Sequence, residues 1–76
     1  MLRYIPPKGP LPRLPSPEVR RKLRDELEIT QELAARMLGV STNSFGYWER
    51  GLRVPEPDHL RAYYSLLYEW QEAVRE

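Results

Sequence analysis

The sequence predicts an all-α domain of four to five helices that follows a proline-rich, extended arm. Two units, each made of a capping residue, a short helix and a glycine, follow one another between Thr30 and Gly51. Six of the eight prolines lie in the first 17 residues, where they remove backbone donors and prevent a helix. We therefore predict an arm over residues 1–16 and a compact helical domain with a long C-terminal helix over residues 17–76.

The composition limits the classes of protein to which the chain can belong. Seventy-six residues form one domain at most, with a core so small that dimerisation would add stability. The chain has no cysteine, one histidine, no glycine-rich phosphate loop and no metal-ligand spacing, so neither an enzyme nor a metal or cofactor site is expected. No apolar run is long enough for a membrane span or a signal peptide, which favours a soluble cytoplasmic protein.

Charge is unevenly distributed along the chain. The first 53 residues carry ten basic and six acidic side chains, and the last 23 carry two basic and five acidic ones. These two parts have net charges of +4 and −3, which together give the overall +1. The basic part is suited to phosphate, although the modest excess favours two copies acting on one duplex.

The first helix is predicted to begin at Ser16-Pro17-Glu18, an N-cap followed by a proline and an acid in the first turn. Its apolar side is expected to consist of Val19, Leu23, Leu27 and Ile29. The basic run beside it is expected to be mostly solvated, and comprises Arg20, Arg21, Lys22 and Arg24.

The middle of the chain predicts two helices joined by a three-residue turn. The first covers Gln31–Leu38 and ends at Gly39, where glycine can adopt a left-handed conformation without a Cβ clash. Ser41 is a second N-cap, and it begins a helix over Thr42–Arg50. This pattern is a helix-turn-helix, whose second helix enters the major groove of DNA.

This stretch resembles the Cro/lambda-repressor-like family, also called the XRE family, over roughly residues 19 to 67. The matching residues are Thr30-Gln31-Glu32, Ala35, Leu38-Gly39-Val40-Ser41, Phe45 and Trp48-Glu49-Arg50-Gly51. The resemblance implies a lambda-repressor-like fold that binds double-stranded DNA. It also implies an ion pair between Arg24 of the first helix and Glu49, and a phosphate contact by Arg53. Further phosphate contacts are predicted at helix ends, for Gln31, Ser41 and Arg50.

The recognition helix is predicted to have a core side with Phe45 and Trp48 and an opposite side that reads bases. The base-reading side consists of Thr42, Asn43, Gly46 and Tyr47. Asn43 can pair with adenine, and Thr42 can place its methyl group against thymine. The alternative is that these two are only first-turn capping residues. Gly46 is either tolerated at an exposed site or needed for close approach to the groove or for room beside its neighbours.

The last helix is predicted from Pro57 to about Arg75, with His59 facing solvent near its start. It is apolar on more than one side and rich in Tyr and Trp, which favour interfaces. We expect a homodimer interface formed by Tyr64, Leu67, Tyr68, Trp70 and Val74. The alternative is that the proline-rich arm covers these aromatic side chains within one monomer.

The arm itself has two interpretations. It is a tether or a strap lying on the globule, or it touches DNA through Arg3, Lys8 and Arg13. Its two PxxP patterns, at residues 7–10 and 12–15, only weakly indicate a polyproline ligand.

The function expected from these features is that of a sequence-specific transcriptional regulator. A small repressor, bound as a dimer to a palindromic operator on the nucleoid, fits best. The alternative is an antitoxin or another protein-binding module of the same fold, with a protein partner on the C-terminal helix or the N-terminal arm.

Overall fold

The computed structural model describes residues 11–75, which form four α-helices. In chain order these are α1 (Pro17–Glu26), α2 (Gln31–Leu38), α3 (Thr42–Glu49) and α4 (Pro57–Arg75). The all-α prediction is confirmed. The first ten residues of the predicted arm lie outside the described residues, and residues 11–16 have no regular secondary structure.

Side-chain caps begin the first three helices. The hydroxyls of Ser16, Thr30 and Ser41 each accept a hydrogen bond from the backbone N–H three residues on, at 3.3, 3.0 and 3.1 Å. Each cap satisfies one of the N–H groups that a helix start leaves without an internal partner. These hydroxyls therefore fix where each short helix begins.

Two glycines end the short helices in the left-handed region. Gly39 has φ 70° and Gly51 has φ 76°. At the first of these ends, the N–H of Val40 donates to the carbonyl of Ala35 at 3.0 Å, as in a Schellman motif. At the second, a Cβ on Gly51 would lie 3.2 Å from Cγ of Pro17, so glycine also allows the start of α1 to approach closely.

The core lies between α4 and the pair formed by α2 and α3. Its members are Ala34, Ala35, Phe45, Trp48, Tyr63, Leu67 and Trp70. The two alanines on α2 are almost fully buried, and their small side chains allow the helices to approach closely. The rings of Phe45 and Tyr63 meet edge to face, with centroids 5.5 Å apart. The long last helix thus packs against the helix-turn-helix and holds it in place.

Two members of the predicted dimer interface belong to this core. Leu67 and Trp70 are only 3% and 4% exposed in the single chain. Both belong to one buried cluster with side chains of α2 and α3, and Leu67 also lies beside α1. The other predicted interface residues, Tyr64, Tyr68 and Val74, keep part of their surface exposed.

The inward side of α1 differs from the predicted one. Val19 is 46% exposed, whereas Arg20 is buried although it was expected in the solvated basic run. The guanidinium of Arg20 donates to the carbonyl of Pro15 at 2.8 Å and to that of Trp48 at 2.7 Å. Burial of this charged side chain is tolerated because the two carbonyls accept hydrogen bonds from its guanidinium.

His59 also departs from its predicted position. Its ring packs against that of Trp48 with centroids 5.5 Å apart, and the side chain is half-buried rather than turned to solvent. His59, at the start of α4, therefore helps to shield Trp48 of the core from solvent.

Candidate nucleic-acid interface

The helix α3 separates buried from exposed side chains along its length. Phe45 and Glu49 are buried, while Thr42, Asn43 and Tyr47 are exposed. This separation follows from the 3.6-residue period, since residues three and four apart share one side of a helix. One side of α3 is thus held by the core and the other is open to a ligand.

The exposed side of α3 lines a shallow depression. We call it the α3 depression, and its lining residues are Gln31, Thr42, Asn43, Gly46, Tyr47 and Arg50. The structure therefore brings all four predicted base-reading residues together with two of the predicted phosphate contacts. Ser41, another of those contacts, lies exposed at the start of α3, where its hydroxyl also bonds that of Ser44 at 3.0 Å.

Two arginines lie against the ring of Tyr47. The guanidinium carbon of Arg50 is 5.6 Å from the ring centroid, and that of Arg53 is 4.9 Å from it. Cations at such distances are attracted by the electron-rich face of the ring. Tyr47 therefore gathers positive charge at the edge of the α3 depression.

A hydrogen-bonded ion pair lies directly behind this surface. Arg24 of α1 donates to Glu49 through Nε, at 2.5 Å, and through Nη2, at 3.0 Å. Gln31 donates its Nε2 to the same carboxylate at 2.8 Å, and Arg24 also donates to the carbonyl of Ile29 at 2.8 Å. This network joins α1, α2 and α3.

The network also changes the protonation of its members. Burial alone would raise the pKa of Glu49, but the hydrogen bonds from Arg24 and Gln31 outweigh it, so the pKa of this carboxyl lies below its usual value. The hydrogen bond to Glu49 raises the pKa of Arg24 further, against the opposing effect of burial. Both groups are therefore charged at neutral pH.

The structure places Gln31 in two environments at once. Its side chain lines the α3 depression, and one amide hydrogen is used by Glu49. An amide nitrogen carries two hydrogens, so one donor remains. The sequence indicated a phosphate contact at this position but gave no sign of the bond to Glu49.

Sequence reasoning missed the contribution of Arg20. By binding the carbonyl of Trp48, it places a cation at the C-terminal end of α3, where helix carbonyls lack internal partners. The available signal was its spacing from Leu23 and Leu27, which puts an arginine within the inward stripe of α1.

An exposed polar surface on the second helix of a capped helix-turn-helix, with arginines at its edge, defines a DNA-binding domain. A protein-family model described as helix-turn-helix matches residues 21–65, which is more than half of the chain. The chain belongs to this helix-turn-helix family, of the Cro/lambda-repressor-like or XRE type, and it is a DNA-binding regulator. Searches of curated proteins and of solved structures gave no match.

Two further findings concern the part of the chain that the structure describes. None of its helices is long and apolar enough to cross a membrane. Within residues 11–75, no three His, Cys, Asp or Glu side chains come together in a way that could hold a metal ion.

Proposed function

We propose that this protein is a sequence-specific repressor that binds a palindromic operator in double-stranded DNA as a homodimer, on the nucleoid in the cytoplasm. The observation that carries this proposal is the α3 depression. It is a concave, polar surface on an exposed helix, backed by a rigid ion-pair network and bordered by cations. Such a surface suits the edges of bases in the major groove.

The base contacts are assigned to the first turn and the middle of α3. Asn43 can give a donor and an acceptor to adenine, and Thr42 can place its methyl group on thymine. Tyr47 can meet a base edge one turn further along. Gly46 lies between these residues but is itself buried rather than at an exposed site, and its missing side chain leaves room for its neighbours.

The phosphate contacts are assigned to the borders of the same surface. Arg53 lies exposed in the loop after α3, and Gln31 retains one amide hydrogen at the start of α2. Ser41 lies at the start of α3, where free backbone N–H groups also favour an anion. These contacts fix the position of α3 on the duplex without reading sequence.

The dimer is assigned to a groove between α1 and α4. Its lining residues are Pro15, Val19, Leu23, Tyr64, Leu67, Tyr68 and Gln71. We call it the α1–α4 groove. Leu67 forms part of its floor, and exposed Val19 widens its apolar surface. A second copy covering this groove would bury apolar area that one chain leaves in water.

Monomer size agrees with two copies on neighbouring half-sites. The described residues span 32 × 30 × 21 Å. Recognition helices of a dimer lie about 34 Å apart when they enter successive major grooves on one side of DNA. Two such domains therefore fit side by side.

The experiment that tests this function is selection of bound duplexes from a random pool, followed by affinity measurements. Asn43→Ala and Tyr47→Ala are expected to weaken binding to the selected site by roughly tenfold each and to relax its sequence preference. Lys22→Ala, an exposed change on α1, is the control and should do neither. The proposal fails if no sequence is enriched, or if the two α3 variants bind like the control.

A second candidate function is that of an antitoxin or another protein-binding module, with DNA binding secondary. The α1–α4 groove favours it, because an apolar groove can equally receive a helix or strand of another protein. Sedimentation of the purified chain separates the two functions. A dimer that Tyr68→Ala converts into monomers supports self-association, whereas a wild-type monomer that still binds one half-site favours a different partner.

A further inference from the structure

We propose that Arg50 reads a guanine in the operator rather than holding a phosphate. This inference rests on the proposed function, since it names a base contact within the same surface. The sequence placed Arg50 among the phosphate contacts because it lies at the end of the predicted recognition helix. The geometry of its side chain points to a different role.

The first observation is the direction of the side chain. Arg50 Nε donates to the carbonyl of Gly46 at 3.2 Å, one helical turn back along α3. The guanidinium therefore turns back over the helix. It lines the α3 depression together with Thr42 and Asn43, the residues suited to base edges.

The second observation is the room that Gly46 leaves. A Cβ at this position would have Nη2 of Arg50 as a neighbour at 4.0 Å, which is ordinary contact distance. A longer side chain would occupy the space in which the guanidinium lies. The glycine, unfavourable inside a helix, thus allows an arginine from the next turn to cover this site.

The third observation is the ring of Tyr47. The guanidinium carbon of Arg50 lies over this ring, 5.6 Å from its centroid. With Nε committed to Gly46, the two terminal nitrogens remain. Within residues 11–75 neither of them makes a hydrogen bond to another residue. A fixed pair of parallel donors matches O6 and N7 of guanine, the commonest specific contact of arginine in the major groove.

Arg53 provides the internal comparison. It approaches the same ring at 4.9 Å but lies outside the α3 depression. It lines instead a separate hollow formed with Pro12, Leu14, Gly51 and other loop residues. One arginine beside Tyr47 therefore lies among base-reading residues and the other lies at their border, where phosphate is the natural partner.

The test is a double-mutant cycle between protein and DNA. Each guanine of the selected operator is replaced in turn by 7-deazaguanine, which lacks the N7 acceptor, and by inosine, which keeps O6 and N7 and lacks the N2 amino group on the minor-groove side. For the wild-type chain, one 7-deazaguanine is expected to weaken binding roughly 5- to 100-fold, while inosine at that position has little effect. Arg50→Ala should bind the normal and 7-deazaguanine duplexes within twofold of each other.

Two matched variants complete the cycle. Arg50→Lys keeps the charge but lacks the planar fork of donors and the Nε–H that bonds Gly46, so it should be less sensitive to 7-deazaguanine than the wild-type chain. Arg53→Ala should keep the full sensitivity while it weakens binding to every sequence and reduces the salt dependence by about one phosphate contact. Circular dichroism of each variant shows whether the total helix content and the thermal midpoint are retained.

The outcomes separate the guanine contact from the repressor function. Failure to enrich any sequence would refute the repressor function itself. Enrichment of a site at which no guanine couples to Arg50 would overturn only the guanine contact. That contact is also refuted if Arg50→Ala lowers affinity equally for all sequences, as a phosphate contact requires.

Discussion

Removal of the Glu49 carboxylate should strongly destabilise the domain. The side chain of Glu49 is 3% exposed and that of Arg24 is 12% exposed, so the pair lies in a poorly solvated place. Deleting one partner of a buried ion pair leaves the other charge uncompensated, at a cost of about 3–5 kcal/mol. Arg24 keeps its bond to the carbonyl of Ile29, which favours the lower end of this range.

The expected effect of Glu49→Ala is therefore a loss of about 3 kcal/mol in the free energy of unfolding. For a domain of this size, that corresponds to a fall in Tm of roughly 12–24 °C. Urea and thermal unfolding followed by circular dichroism measure both quantities. The control is Glu72→Ala, because Glu72 forms an exposed pair with Arg75 on α4 and should change stability by at most about 0.5 kcal/mol.

A second variant tests the physical cause of the loss. The double change Arg24→Met with Glu49→Met replaces both charges by apolar groups, and it should recover most of the stability lost by Glu49→Ala. If Glu49→Ala costs no more than Glu72→Ala, the network does not hold the three helices together. The position of α3 would then depend on the apolar core alone.

The same carboxylate gives the stability a pH dependence. The pKa of Glu49 is lower in the folded chain than its ordinary value of 4.5. The unfolded chain therefore binds this proton first as the pH falls, and the stabilisation is complete above about 4.5 and lost as the pH drops through the folded pKa. Glu49→Gln should flatten this part of the stability profile, measured by urea unfolding between pH 3 and pH 7.

Three further changes test other parts of the fold. The hydroxyl of Tyr63 is buried and makes no hydrogen bond of good geometry among the described residues, although the guanidinium of Arg20 lies close enough to lower its pKa. Burial has the larger effect and raises that pKa to about 12. Tyr63→Phe should therefore raise the free energy of unfolding by about 1 kcal/mol, measured by urea unfolding. A fall of that size in the free energy of unfolding would show instead that the hydroxyl stabilises the fold. Arg20→Met removes the cation at the end of α3 and leaves two carbonyls with fewer donors. It should lower the thermal midpoint by roughly 5–15 °C, whereas Arg21→Met on the exposed side should change it little. Glu28 has φ 57°, a left-handed conformation that glycine adopts without strain. Glu28→Gly should therefore raise the free energy of unfolding by up to about 1 kcal/mol, and Glu28→Val should lower it, as measured by chemical denaturation.

The local structure of this protein follows directly from its amino-acid sequence. Hydroxyl caps and glycines act within a few residues, so the bounds of α2 and the start of α3 could be predicted directly from them. The two sides of α3 were equally predictable, because a helical period places Phe45 and Trp48 opposite Asn43 and Tyr47. The family resemblance added the pairing of Arg24 with Glu49, which spacing alone does not reveal.

Contacts between side chains of different helices depend on the packing of the whole domain. The sequence shows that α4 is apolar on several sides, but not that Leu67 and Trp70 turn towards α2 and α3. The spacing of Arg20 from Leu23 and Leu27 indicates that it faces inward, but not that it binds the carbonyl of Trp48. Burial and hydrogen bonding between distant residues depend on how the helices cross, and no local signal specifies that angle.

The DNA-reading surface combines both levels. Its residue types follow from positions along α3, but their arrangement depends on contacts between turns and loops. Arg50 folds back onto Gly46, and Arg53 reaches Tyr47 from a separate loop. Long, flexible side chains have many conformations of similar energy in an unfolded chain. The folded backbone selects one of them by supplying a carbonyl and an aromatic ring at the right distance.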